Sequence, residues 1–226
     1  MAKAKAKAKV KTAPVKPTAP NSFMRTIKVR LTFTEELLGT ASASKEVQKE
    51  HVAKHAPDAR TLAEEIEAAS IDEVVDSMMT IFPRKGGIPI NWDYQIKGYM
   101  KSCASYLART KNAYTVNLVA YRKVIAGNVF VSPRAIPLIL PEGGVIGNLQ
   151  RPLRAETAQG PRIALANSET LPAGTTMEFK IEFPDLKANV DLETCIREWL
   201  DFGVYHGHGQ WRNAGYGRFT WEELTD

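Results

Sequence analysis

Sulfur, long apolar runs and the common catalytic signatures are what this 226-residue chain has little of. It holds only two cysteines, Cys103 and Cys195. They lie far apart, inside segments with apolar periodicity, and without metal spacing. They read as reduced core residues of a cytoplasmic protein rather than a disulfide framework or a zinc set. No apolar run approaches the roughly 20 residues of a membrane helix, so no membrane partner is expected. The lysine-rich start has no apolar segment behind it and is not a secretory signal. Gly86-Gly87 after Arg84-Lys85 lacks the P-loop spacing, and neither a Ser-His-Asp order nor H-E-x-x-H occurs. The sequence therefore predicts no metal and no cofactor.

Positive charge is present but unevenly placed. The formal net charge is +5, yet residues 1–20 alone hold six lysines and no acid. Without them the body has 24 basic and 25 acidic residues. Residues 1–22 are rich in Lys, Ala and Pro and read as a disordered tail, leaving one domain over 23–226. The body is itself polarised. Residues 35–79 carry eleven acids against four bases, whereas 84–134 carry nine bases and one acid, Asp93. Gathered on one face, the second block would attract a polyanion.

"MRTIKVRLTFT" alternates Ile27, Val29, Leu31 and Phe33 with Lys28, Arg30 and Thr32, the pattern of a half-buried strand. Short helices are expected over Lys45–His55, after Asp58 and after Ser70. A glycine loop at "RKGG" leads to a helix from about Asn91 to Arg109, with Ile96, Met100, Cys103 and Leu107 inward and Lys97 and Lys101 one turn apart. "VIAGNVFV" reads as a hairpin around Gly127-Asn128. Residues 151–183 read as two or three strands, the last alternating Met177, Phe179, Ile181 and Phe183 with charged residues. Val190 to Phe202 is an amphipathic helix, followed by a glycine-rich stretch and a closing strand. This order predicts an α+β fold of ferredoxin-like or RRM-like type, an antiparallel sheet with helices on one face and inserted β-hairpins.

Four segments, taken in order, resemble the RAMP superfamily of CRISPR-associated RNA-binding proteins. They are "VRLTFTEELLGTAS", "IPINWDYQIKGYMKS", "LPAGTTMEFKIEF" and the loop Gly207-His208-Gly209, Gln210-Trp211-Arg212-Asn213-Ala214, Gly215-Tyr216-Gly217. The similarity runs from about residue 24 to 222. Lys101 stands where the family usually has Arg. The loop after the first strand, "TASASKE", offers Ser42 and Ser44 but no Asp, which speaks against target-RNA cleavage of the kind some backbone subunits perform.

The resemblance implies RNA as partner, guide-type or otherwise single-stranded, and an oligomer or multi-subunit assembly on it. Glycines allow backbone N–H groups close to phosphates, Arg212 offers a bidentate contact, and Trp211 or Tyr216 a stacking surface. The candidate RNA-binding residues are thus Gly207, Gly209, Gln210, Trp211, Arg212, Gly215, Tyr216, Gly217 and Arg218. Lys97, Lys101, Lys28 and Arg30 follow as phosphate contacts. Two rival readings stand beside this one. A metal-independent endoribonuclease would use one of His51, His55, His206 or His208 as general base. A protein-interaction module would reuse the fold and ignore nucleic acid.

Overall fold

The strand predicted from alternation forms over Met24–Phe33 (β1), with Ile27, Val29, Leu31 and Phe33 at most 2% exposed. The computed structural model describes residues 23–42, 79–157, 160–186 and 190–225. The expected tail at 1–22 and the helices expected over Lys45–His55, after Asp58 and over 71–78 after Ser70 lie outside the described residues.

After β1 come the short strands Leu37–Leu38 (β2), Ala41–Ser42 (β3), Met79–Ile81 (β4), Arg84–Lys85 (β5) and Ile88–Trp92 (β6). Helix α1 spans Asp93–Leu107, and α2 spans Tyr121–Asn128. Strands Phe130–Ser132 (β7) and Ala135–Pro137 (β8) follow, then the long strands Gly147–Thr157 (β9) and Gly160–Leu171 (β10). Strand Thr176–Pro184 (β11), helix Leu192–Asp201 (α3) and strand Phe219–Glu223 (β12) complete the chain. The fold is α+β with several sheets, in which β4 and β10 form a parallel pair among otherwise antiparallel ones.

One sheet has the order β12-β1-β11-β7. Its inward residues from β1 and β11 join Ile96, Met100, Cys103 and Leu107 of α1 and Cys195, Ile196, Trp199 and Leu200 of α3 in a single core. Burying the four inward side chains of β1 contributes roughly 6–12 kcal/mol relative to exposure. Two polar links fix the helices on this core. The Tyr99 hydroxyl donates to the Trp199 carbonyl at 2.8 Å, and Trp199 Nε1 donates to Thr115 Oγ1 at 2.9 Å. Asp191 caps α3, accepting from the backbone of Glu193 and Thr194, which satisfies two of its first N–H groups.

A second sheet runs β2-β10-β4-β3, with β9 paired along β10 from Gly147 opposite Thr170 to Thr157 opposite Gly160. The third is β5-β6-β8. Gly39 sits where the backbone of Ile81 leaves no room for a side chain, so the β2–β3 bend depends on it.

Two expectations are corrected. No hairpin forms around Gly127-Asn128: that stretch ends α2, because Ile125 is fully buried in the core and Val124 packs against it, and only Phe130–Ser132 is strand. Helix α1 begins at Asp93 rather than Asn91. Asn91 and Trp92 pair with Ile136 and Ala135 in β8, and Gln95 Oε1 accepts from the Trp92 N–H at 2.8 Å. In "RKGG", Arg84-Lys85 are β5 itself and Gly86-Gly87, at φ +58° and +80°, are the turn of the β5–β6 hairpin.

Candidate nucleic-acid interface

The glycine-rich stretch between α3 and β12 closes on itself. A β-carbon on Gly207 would overlap the Tyr216 carbonyl oxygen, and one on Gly217 would overlap that of His208. The His208 N–H donates to Gly217 O and the Gly217 N–H to Glu36 O, both at 2.8 Å. Gly215 N–H donates to Arg212 O at 2.9 Å. The amides of Gly215 and Gly217, expected to face phosphates, are thus used inside the fold. These glycines let two backbone segments cross, and Gly209, at φ +83°, lets the loop pass against Leu37 and Leu38. Gln210, expected at the RNA, is a clamp: its Nε2 donates to Gly39 O at 2.8 Å.

This crossing carries Arg212 to α1. Arg212 Nη1 donates to Ser102 Oγ at 3.1 Å and to His206 Nε2 at 3.0 Å. Ser102 Oγ also lies 2.9 Å from that nitrogen. Here the structure opens a cleft of about 240 Å³. Thr40 forms one wall, Gln95, Gly98, Tyr99 and Ser102 of α1 a second, and His208, Gly209 and Arg212 a third. Gln95 Nε2 donates to Thr40 Oγ1 at 2.7 Å, fixing two of the polar rims.

Gln95, Gly98 and Ser102 went unread in the sequence, although a signal existed. They recur at i, i+3 and i+7, a small polar stripe beside the apolar one. Gly98 has nothing within 4 Å of where a β-carbon would be, so the helix backbone itself faces the cleft.

Both loop histidines are neutral at pH 7. Burial, and then the Arg212 charge, lowers His206 to about 4. The same causes lower fully buried His208 to about 4. His208 Nε2 lies 3.0 Å from Asn91 Oδ1, an acceptor, so it carries the proton there. His206 Nε2 faces a guanidinium, which only donates. A base of such low pKa whose lone pair already accepts is poorly suited to removing a ribose proton near neutral pH. His51 and His55 lie outside the described residues.

The other predicted contacts are placed unequally. Lys97 turns toward α2, donating to Ala126 O at 3.0 Å and lying 5.7 Å from the Phe130 ring. Burial first, then Lys101, lowers its pKa, while Asp93 opposes them. Lys101 is half-buried beside Ser102. Lys28 and Arg30 occupy the sheet face opposite α1, away from the loop. Arg30 bridges Glu178 at 2.7 Å and Glu222 at 2.8 Å, hydrogen bonds that hold its pKa up. Lys28 lines a separate cavity of about 360 Å³ with Glu178, Lys180 and Pro133. Though larger, that cavity has a carboxylate among its charges and collects only Lys28 of the predicted residues.

Trp211, at φ +49°, stacks on Tyr216 with ring centroids 5.0 Å apart and planes 11° off parallel. The Arg151 guanidinium lies over the indole at 3.9 Å. A phenol ring and a guanidinium are too large to share one face, so Trp211 is the middle layer of a three-layer stack. Its faces are filled by protein. Arg218 is exposed near Gly215.

Among the described residues no group of His, Cys, Asp and Glu is arranged to hold a metal ion, and no helix is long and apolar enough to cross a membrane. No protein-family model and no curated protein matches this chain. Solved structures with partial similarity include a chain of the Type III-B Cmr-beta complex bound to cognate target RNA. It has a TM-score of 0.48 at 14% identity over 89% of this chain and 59% of that one. The chain thus spans about three-fifths of that protein's length. A chain of a Type IV-B CRISPR complex has a TM-score of 0.46 at 12% identity, covering 89% of this chain and 91% of that one. Cmr6 from Pyrococcus furiosus has a TM-score of 0.44 at 10% identity, covering 87% and 98%.

Proposed function

We propose that this chain is an RNA-binding protein of RAMP type, one domain over 23–226 that grips the backbone of a single strand within a CRISPR-like ribonucleoprotein assembly. The strand order β12-β1-β11-β7, with α1 between β1 and β7 and α3 between β11 and β12, supports a ferredoxin-like split βαβ core. The observation that carries the reading is Arg212, presented by the closed glycine loop at a polar cleft against α1. α1, α2 and their connection also carry Lys101, Arg109, Lys111, Arg122 and Lys123, of which Lys101 stands next to the cleft-lining Ser102 in α1. Two other bases of the 84–134 block are occupied, Arg84 by Glu169 and Arg134 by Asp93. The open sheet face is a poor alternative, since Arg30 there is matched by carboxylates and Lys28 and Lys180 stand beside Glu178. Backbone charge rather than base readout fits this surface.

Fluorescence anisotropy of the chain lacking residues 1–22, with a labelled single-stranded RNA, tests the reading. Binding is expected to weaken with salt and to fall about tenfold or more in Arg212→Ala combined with Lys101→Ala, since each charge-assisted contact is worth roughly 1.5–3 kcal/mol. Binding that resides wholly in residues 1–22 overturns it. Cleavage in EDTA that is lost in His206→Ala favours the endoribonuclease instead.

A further inference from the structure

Arg151 lies in β9, outside the four segments that carry the family resemblance, and its surroundings are unusual for a cation. Its Nε and Nη1 are shielded from water and have no hydrogen-bond partner among the described residues. Its guanidinium rests on Trp211 at 3.9 Å, and Trp211 in turn on Tyr216. The indole attraction offsets part of the charge's desolvation but supplies no acceptor for the in-plane hydrogens. Shielded charged donors without an acceptor are costly, which makes this edge a strong taker of an anionic oxygen. Stacking also fixes the guanidinium plane, so its donor fork is oriented before any ligand arrives. Trp211 immediately precedes Arg212, so the stack stands at the same loop as the cleft, and the indole remains 39% exposed there.

We propose that Arg151, oriented by Trp211, binds a backbone phosphate of the single-stranded nucleic acid where the strand passes from the glycine loop onto the β9–β10 hairpin. The inference rests on the RNA-binding reading and extends its surface to a second sheet. Trp211 then acts as the support of a phosphate contact and not as a platform for a base.

The test is anisotropy titration of a single-stranded RNA at several salt concentrations, using the full chain and its Arg151→Gln and Arg151→Lys variants, each checked by thermal melting. Arg151→Gln is expected to weaken binding about tenfold and to reduce the magnitude of the salt slope by about one. Arg151→Lys is expected to keep most of the slope while losing affinity, because charge remains and the stacked fork does not. A folded Arg151→Gln protein with unchanged affinity and slope overturns the inference alone, as does a lowered melting temperature with unchanged binding. Absence of binding by the unaltered chain overturns the RNA reading with it.

Discussion

Arg212 Nη1 lies 3.0 Å from His206 Nε2, and because a guanidinium cannot accept, His206 accepts there and carries its proton on Nδ1. This contact sets the tautomer, and burial together with the Arg212 charge keeps the ring uncharged.

The pH dependence of stability follows. His206 and His208 each fall to about 4 in the folded chain, below the ordinary histidine value of 6.5. Between those values the unfolded chain binds more protons, so stability is complete above pH 6.5 and declines as pH falls toward 4. Buried His208 accounts for up to about 3 kcal/mol, and half-exposed His206 for less because solvent screens it. Melting curves from pH 7.5 to 4.5 check this, with an NMR titration of the ring protons. In Arg212→Ala the His206 midpoint is expected to rise.

Adding one methyl group at the backbone crossing should be costly. Gly207→Ala and Gly217→Ala both force a β-carbon into a carbonyl oxygen, and Gly217 also has φ +69°. Each is expected to lose roughly 2–4 kcal/mol in denaturant unfolding, at the upper end of single-residue effects. A variant of near-native stability would show that the crossing is not required.

The opposite sign is expected one turn into the cleft wall. Gly98 is helical and has open space around it, so Gly98→Ala should gain about 0.5–1 kcal/mol of stability. If the RNA backbone runs along α1, the same methyl weakens binding by several-fold. Stability that rises without any loss of affinity would place the strand elsewhere.

Arg30 offers the contrast. Its two carboxylate partners hold it on the open sheet face, away from the loop. Arg30→Ala should leave RNA affinity within about twofold of the unaltered chain, and surface ion pairs of this kind move melting by only a few degrees. A tenfold loss of affinity would move the proposed interface onto the sheet.

Much of the frame was legible because it depends on local periodicity. Alternation located β1 and β11, and the 3.6-residue repeat located α1 and α3 with their inward faces. The expected hairpin at Gly127-Asn128 failed for a reason of the same kind: Gly-Asn is a turn signal only when the flanking residues pair as strands, and Ile125 is instead drawn into the core. The pairing of β10 with β4 joins segments distant in sequence and leaves no local signal.

For the site, the sequence by itself determined where the loop lies, that Arg212 stands on it, and that its glycines serve some close approach. Only the tertiary structure decided what they approach. Gly207 and Gly217 meet opposing backbone, Trp211 is covered on both faces, and Arg30 is matched by Glu178 and Glu222. Ser102 and Arg212 are 110 positions apart, and Arg151 belongs to a different sheet from the β12 that follows the loop. Contacts at such separation depend on how whole elements pack. Residue type sets what a side chain can offer, and packing sets what it meets.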